Sequence, residues 1–107
     1  MPALSVELLY FAGCPTYQKA LTDLLGIVSQ PDVNARLCLT KVGSEEEAQT
    51  LRFLGSPTVR VNGVDIEPSA PASEAFGLRC RIYRVDGKLL GSPSTAMLTR
   101  ALREGGS

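Results

Sequence analysis

The chain has 107 residues, of which 44% are hydrophobic, with 11 basic and 11 acidic side chains and no histidine. This size and apolar content predict one domain over residues 1–107 with a modest core. The balanced charge predicts no nucleic-acid or anionic-membrane partner. The lack of histidine excludes a Cys–His pair, a Ser–His–Asp triad and an imidazole metal ligand from within this chain.

The three cysteines are Cys14, Cys38 and Cys80. Their spacing forms neither a C-x-x-C pair nor a zinc framework, and an odd count argues against a disulfide-stapled secreted scaffold. The first residues lack the basic and long apolar segments of a signal peptide, and no run approaches the ~18 apolar residues of a membrane span. We therefore expect a cytoplasmic protein with reduced thiols and no membrane partner.

The first half of the chain predicts a strand, a helix and a second strand. Residues 6–11 are mostly apolar, as in a strand that is buried on both faces. Apolar residues then recur at helical spacing from Pro15 to about Gln30. Residues 36–42 resemble a strand again, and a strand–helix–strand unit of this kind implies a right-handed crossover between parallel strands.

A second helix is predicted from about Glu45 to Leu54. Ser44 followed by Glu47 is a capping-box pattern. Gly55 is expected to end the helix in a left-handed conformation. The acidic first turn is interpreted as a solvated helix start that complements the dipole, not as a catalytic carboxylate pair.

The second half of the chain predicts antiparallel strands and a closing helix. Residues 58–61 and 64–66 flank Asn62-Gly63, a strong two-residue hairpin signal. Residues 67–77 are small, Pro-rich and aperiodic, which is typical of an exposed loop. An extended stretch with Asp86-Gly87 predicts a small second hairpin, and residues 93–103 predict the last helix.

Cys14 lies at the junction between the first strand and the first helix. A thiol at a helix start faces unpaired N–H groups and the positive end of the dipole, which favour thiolate. We expect this sulfur to be presented to solvent. Such a thiolate would serve as a nucleophile or as a soft-metal ligand.

The order of elements, together with two short motifs, resembles the thioredoxin-like superfamily. The motifs are Phe11-Ala12-Gly13-Cys14-Pro15 and Gly55-Ser56-Pro57-Thr58-Val59. The pattern is similar to small bacterial thioredoxin-like proteins with a single active-site cysteine. The resemblance implies an α/β fold with a central mixed four-stranded sheet flanked by helices, and with a loop or small hairpin inserted before the last helix.

The resemblance also implies which residues meet the substrate. It places a cis peptide bond between Ser56 and Pro57 beside Cys14, whereas a trans Pro57 that begins an edge strand is the alternative. The Ser56 backbone would then pair with an extended peptide or glutathione as with an added strand. The implied substrate-binding residues are Gly13, Pro15, Ser56, Pro57 and Thr58.

The chain departs from the dithiol motif, because Tyr17 occupies the position of the second cysteine. Two-cysteine enzymes use that thiol to release the mixed disulfide. Three routes stay open: an external thiol such as glutathione resolves the adduct, another cysteine resolves it, or Cys14 only binds.

Cys80 is the candidate internal partner, and the alternative is an edge thiol without chemistry. It lies between Arg79 and Arg81, although side chains alternate along an extended segment and would point these arginines away from it. Cys38 is interpreted as a small hydrophobe in a strand covered by helices on both sides. Four guanidinium groups could together receive glutathione carboxylates: Arg52, Arg60, Arg79 and Arg81.

Three functions follow from these observations. The leading hypothesis is thiol/disulfide exchange, in which Cys14, alone or together with Cys80, reacts with glutathione as a co-substrate or with a protein thiol. The second is binding of a soft metal such as mercury or copper(I) by the same two cysteines. The third is a non-enzymatic adaptor that docks a peptide at Pro57. We expect a monomer or a weak homodimer, without a resident cofactor or metal.

Overall fold

The computed structural model describes residues 3–67 and 76–104. Within these residues the chain forms three helices and six strands. The helices are α1 (Tyr17–Val28), α2 (Glu45–Thr50) and α3 (Thr95–Glu104). The strands are β1 (Leu4–Tyr10), β2 (Ala35–Lys41), β3 (Thr58–Val61), β4 (Val64–Asp65), β5 (Tyr83–Val85) and β6 (Lys88–Leu90). None of the helices in this part of the chain has the length and apolar character to cross a membrane.

The central sheet is mixed and four-stranded, with the order β2-β1-β3-β4. Strand β1 runs parallel to β2 and antiparallel to β3, and β3 runs antiparallel to β4. Asn62 and Gly63 turn β3 into β4 with φ angles of 52° and 82°. Both angles suit the hairpin turn that the Asn-Gly pair predicts. The predicted parallel and antiparallel neighbours are therefore confirmed.

The helices divide between the two faces of this sheet. One core cluster joins Val6 and Leu8 of β1 to α1 and α3, while Leu9 of β1 lies in a second cluster with Ala48 of α2 and Phe53. Successive strand residues point to opposite faces. Helices α1 and α3 consequently cover one face, and α2 covers the other. The first cluster comprises Val6, Leu8, Ala20, Leu24, Ile27, Val59, Val61, Leu98 and Leu102.

Helix α1 begins later than predicted. Its first residue is Tyr17, and Thr16 occupies the N-cap position without a capping hydrogen bond from its side chain. The Thr16 hydroxyl instead donates to the carbonyl of Gly91, at 2.8 Å. Because that hydroxyl is used elsewhere, Cys14 and Pro15 form a turn ahead of the helix rather than its first turn.

Helix α2 begins as predicted but ends early. The Ser44 hydroxyl accepts the Glu47 N–H at 3.1 Å, which is the expected capping interaction. The helix stops at Thr50, where Arg52 adopts a φ of 55° and the Phe53 N–H bonds to the Ala48 carbonyl at 2.8 Å. This is a Schellman ending, stabilised by burial of Phe53 in the core. The predicted stop at Gly55 is therefore wrong.

Cys38 also departs from the prediction, because it is exposed on the edge strand β2. Its register partner is Glu7, whose carboxylate accepts a hydrogen bond from Thr40 at 2.7 Å. Helix α2 has only six residues and packs at Leu9 and Val42, so it does not cover this polar stretch of the sheet. The predicted burial of Cys38 between helices is wrong for that reason.

The remaining elements follow the sequence pattern. Strands β5 and β6 pair through Asp86 and Gly87, whose φ angles are 50° and 78°. Helix α3 runs two residues later at its start than the predicted 93–103, since the Ser94 hydroxyl accepts the Met97 N–H at 3.1 Å. The predicted loop over residues 67–77 lies mostly outside the described residues, which omit 68–75.

Candidate functional site

Cys14 sits in the turn between β1 and α1. Its N–H donates to the Phe11 carbonyl at 3.1 Å, which holds the turn. Only 3% of the residue is exposed, so the expected presentation of this sulfur to solvent is wrong. The sulfur nevertheless faces polar groups: it lies 3.3 Å from the Thr16 hydroxyl and donates to the Ser56 carbonyl at 3.5 Å.

Thr16 has one hydroxyl hydrogen and two neighbours for it. That hydrogen is directed to the Gly91 carbonyl, which can only accept. In the thiol form, the single S–H hydrogen of Cys14 can be directed to the Thr16 oxygen or to the Ser56 carbonyl, but not to both. When Cys14 ionises, the Thr16 hydrogen must turn from Gly91 to the sulfur in order to stabilise the thiolate.

The surroundings of Cys14 favour its thiolate form. Burial by itself opposes ionisation of the thiol. The side chains of Ser56 and Thr16 and the backbone N–H groups of Thr16 and Tyr17 outweigh that penalty, so the net pKa of Cys14 is lowered from its ordinary value. Activation by the helix start, predicted from the sequence, thus acts through these particular N–H groups.

The Ser56 hydroxyl is a buried polar group beside Cys14. Ser56 is fully buried, and within the described residues its hydroxyl oxygen has no hydrogen-bond partner. The Ser56 side chain contributes to lowering the pKa of Cys14. A buried donor without a partner is costly, and a thiolate is a stronger acceptor for it than a thiol.

The peptide bond between Ser56 and Pro57 is cis, as the resemblance implies. The expectation that Ser56 offers its backbone to a substrate is wrong. Its N–H donates to the Arg79 carbonyl at 2.8 Å, and its carbonyl accepts the Arg81 N–H at 2.9 Å. These bonds form a parallel bridge between Ser56 and Cys80. The backbone groups of Ser56 that an added strand would use are therefore occupied by the protein's own residues 79–81.

We call residues 76–83, which make this bridge, the docked segment. Its first part is held on α2 and on the chain that follows it. The Gly77 N–H donates to the Phe53 carbonyl at 3.0 Å, and the Leu78 N–H donates to the Glu45 carboxylate at 3.1 Å. Glu45, predicted as a solvated helix-start charge, therefore also fixes the docked segment.

The second part of the docked segment is held by a buried ion pair. Arg81 bonds to both carboxylate oxygens of Asp65, at 2.7 and 2.9 Å, and to the Thr58 hydroxyl at 3.3 Å. The two charged side chains are only 8% and 9% exposed. Burial opposes the charge on Arg81, but the hydrogen bonds to Asp65 prevail and raise its pKa. This bidentate geometry is the strong form of the pairing.

Tyr83 adds a further anchor. Its hydroxyl donates to the Pro57 carbonyl at 2.5 Å, and its ring lies 4.6 Å beneath the Arg81 guanidinium. Burial raises the pKa of Tyr83, so its hydroxyl stays protonated as a donor. The cis-proline turn is thereby attached to the docked segment on both sides.

Gly55 allows the docked segment to approach this closely. Its φ is 119°, a conformation that favours glycine. A Cβ at this position would lie 3.0 Å from the Arg81 Cβ and 3.1 Å from the Arg79 carbonyl oxygen. Gly55 is therefore required for contact with residues 79–81, not for ending α2.

This docking pairs Cys80 with Ser56, whose carbonyl also accepts from the Cys14 sulfur. Both cysteines are free thiols, and Cys80 is exposed whereas Cys14 is buried. Desolvation raises the pKa of Cys80, and the charge of Cys14 and a side-chain hydrogen bond to Cys14 raise it further. The two thiols thus differ: the pKa of Cys14 is lowered and the pKa of Cys80 is raised.

The other predicted site residues are placed differently. Pro57 and Thr58 are buried, and the Thr58 hydroxyl donates to the Gly55 carbonyl at 2.5 Å. Gly13 and Pro15 are exposed beside Cys14. A Cβ on Gly13 would lie 3.0 Å from the Phe11 ring, so this turn requires a glycine.

Three of the four arginines that were expected to bind glutathione carboxylates contact other groups of the protein. Arg60 donates to the Leu51 and Arg52 carbonyls at the end of α2, and Arg52 lies 4.9 Å above the Phe76 ring. With Arg81 bound to Asp65, these three groups do not form the expected cluster for glutathione carboxylates. Among the described residues, no group of three or more His, Cys, Asp and Glu side chains could hold a metal ion.

Several residues of the site were not found by sequence reasoning. Asp65, Tyr83 and Gly91 carried no local motif, since each acts on a residue far along the chain. The stacking of Tyr17 on Tyr10, with ring centroids 4.4 Å apart, was not predicted either. Opposite charge on two predicted extended segments was the one available signal for the Asp65–Arg81 pair.

Comparison with known proteins adds no identification. No family model matches the chain, and no curated protein matches it.

Proposed function

We propose that this protein is a thioredoxin-like thiol–disulfide exchange protein whose redox pair is Cys14 and Cys80. The sheet order, the arrangement of helices, the cis peptide bond and the thiol between β1 and α1 all support the resemblance drawn from the sequence. The observation that carries the proposal is that Ser56 links two free thiols: its carbonyl accepts from the Cys14 sulfur, and it forms the bridge to Cys80. The pKa of Cys14 is lowered and that of Cys80 is raised, which agrees with this arrangement.

This pair supplies what the Cys14-Pro15-Thr16-Tyr17 sequence lacks. A disulfide between Cys14 and Cys80 would let the protein exchange two electrons without a vicinal dithiol. In oxidation, an external disulfide RS–SR is reduced to two RSH, one S–S bond forms between the cysteines, and both thiol protons pass to the released RS⁻ groups. Reduction by two RSH is the reverse. Oxidised glutathione is a small-molecule disulfide of the required class.

The test uses a Cys38→Ser background, because the exposed Cys38 would otherwise react with the oxidant. This variant is treated with oxidised glutathione, alkylated, and mapped by peptide mass spectrometry. We expect a Cys14–Cys80 disulfide, which disappears when either Cys14→Ser or Cys80→Ser is added. If the background protein keeps both thiols free and alkylatable when unfolded, the proposed function fails.

Soft-metal binding is the second candidate, and the same arrangement favours it. Two adjacent sulfurs without a third ligand suit the linear coordination of mercury(II) or copper(I). A titration with each metal in competition with a chelator separates the candidates. Binding of one metal ion that is lost in both the Cys14→Ser and the Cys80→Ser variant, without any disulfide after glutathione treatment, would favour the metal site.

The adaptor hypothesis is not favoured. It requires free Ser56 backbone groups at Pro57, and those groups bond to Arg79 and Arg81. A peptide would have to displace the docked segment together with its buried ion pair.

A further inference from the structure

The two sulfurs of the candidate pair differ in what can reach them. Cys14 is 3% exposed, and it lies against Thr16 and Ser56. Cys80 is exposed on the docked segment, where it is bridged to Ser56. A disulfide exchange step needs the attacking sulfur in line with the bond that it breaks, so access decides which sulfur an external group can engage.

The backbone N–H and carbonyl of Ser56 are also occupied in this structure, in which both cysteines are free thiols. These two Ser56 groups are bonded to the docked segment, which is fixed by Asp65 at one end and by Glu45 at the other. An external partner therefore cannot add a strand beside Cys14, which is the approach that the resemblance implies. It must reach the pair through the exposed Cys80.

We propose that Cys80, and not Cys14, is the sulfur that forms the mixed disulfide with an external low-molecular-weight thiol, while Cys14 exchanges only with Cys80. This inference rests on the proposed function. In reduction, a thiolate RS⁻ attacks the Cys80 sulfur, an RS–Cys80 bond forms, the Cys80–Cys14 bond breaks, and Cys14 leaves as a thiolate. A second RS⁻ then attacks the RS sulfur, releasing RS–SR and the Cys80 thiolate, which takes up a proton.

The electrostatics of the site favour this direction of attack. A thiol of lower pKa is the better leaving group, and Cys14 has the lowered pKa. In oxidation the steps reverse. Cys80 attacks RS–SR as its thiolate, formed by loss of its proton to water; an RS–Cys80 bond forms, the RS–SR bond breaks, and RS⁻ leaves and takes up a proton. The Cys14 thiolate then attacks the Cys80 sulfur of the mixed disulfide, the RS–Cys80 bond breaks, and the second RS⁻ leaves.

The first experiment traps the intermediate without altering either cysteine. Oxidised Cys38→Ser protein is mixed with reduced glutathione, quenched with acid at short times and digested. Peptide mass spectrometry then locates the glutathione adduct. We expect it on the peptide that contains Cys80. An adduct on the Cys14 peptide, with a Cys14–Cys80 disulfide present at the start, overturns this inference but leaves the proposed function standing.

The second experiment compares single-thiol variants in the Cys38→Ser background. With oxidised glutathione, the Cys14→Ser variant should accumulate a stable Cys80 adduct. The Cys80→Ser variant should form a Cys14 adduct at least about tenfold more slowly, since its sulfur is buried. Circular dichroism and urea unfolding confirm that each variant is folded. Equal rates in two folded variants contradict the inference, whereas absence of any Cys14–Cys80 disulfide in the background protein contradicts the proposed function itself.

Discussion

The Asp65→Asn variant tests what holds Cys80 beside Cys14. The substitution keeps the shape of the side chain but leaves the Arg81 guanidinium without its counter-charge in a site where both groups are at most 9% exposed. Removing one partner of a buried ion pair costs about 3–5 kcal/mol. A domain of this size has a free energy of unfolding of about 5–15 kcal/mol, so the loss is a large fraction of the total.

The predicted effect is both global and local. Urea unfolding of the reduced protein should show a loss of about 3–5 kcal/mol in the free energy of unfolding. Hydrogen exchange should show lost protection at the Ser56 and Arg81 N–H groups, which form the bridge to the docked segment. Formation of the Cys14–Cys80 disulfide should slow, because release of the segment separates the two thiols.

The matched control is Lys19→Gln. Lys19 pairs with Asp23 at 2.8 Å on the surface of α1, and its side chain is 61% exposed. Exposed i,i+4 pairs of this kind are worth about 0.3–0.5 kcal/mol, so this variant should lose little stability and keep its disulfide rate. If Asp65→Asn costs no more than Lys19→Gln and leaves the disulfide rate unchanged, the ion pair does not hold the docked segment.

Three further predictions address the neighbours of the pair. Gly55→Ala should destabilise the protein more than Gly63→Ala and should slow disulfide formation, because both positions have a positive φ but only Gly55 contacts residues 79–81. Urea unfolding and the rate of disulfide formation measure these effects. Equal effects of the two substitutions would remove the steric argument. Thr16→Val should raise the pKa of Cys14 toward its ordinary value, whereas Thr16→Ser should not. Thiolate ultraviolet absorbance in the Cys38→Ser background measures this pKa. An unchanged titration in Thr16→Val would show that the hydroxyl does not stabilise the thiolate. The pKa of Cys14 is lowered in the folded state, so the unfolded chain binds more protons at this site. The stability advantage of the reduced protein over Cys14→Ser should therefore grow as pH rises from the lowered pKa to the ordinary 9.0, and shrink as pH falls. Urea unfolding at several pH values measures this difference in stability, and a difference that does not change with pH is the contrary result.

Local chemistry explains which parts of the fold the sequence predicts. The Ser44 cap and the Asn62-Gly63 and Asp86-Gly87 turns each depend on neighbouring residues, and all three occur as predicted. The mixed four-stranded sheet and the cis peptide bond were implied by the resemblance and are present. The cap and the two turns need no knowledge of distant contacts.

The parts that were not predicted depend on contacts between distant residues. Helix α2 ends early, and Phe53 after it packs in the core. The resulting short helix leaves Cys38 exposed. The pairing of Ser56 with residues 79–81 depends on how the chain returns after the segment 68–75, and no local signal sets that register. The same return determines which cysteine meets Cys14.

The proposed redox pair comes from two distant segments and would therefore link the chemistry to folding. In the reduced protein, Cys80 is held near Cys14 only by the contacts of the docked segment, chief among them the Asp65–Arg81 pair. In the oxidised protein, the disulfide would itself close the loop between Cys14 and Cys80. Loop closure of this length is worth between about 3 and 4.7 kcal/mol, which is comparable to the cost of breaking the buried ion pair. The ion pair is therefore needed to bring the thiols together before oxidation, whereas the disulfide can replace it afterwards, so Asp65→Asn should impair disulfide formation far more than it impairs a disulfide that already exists.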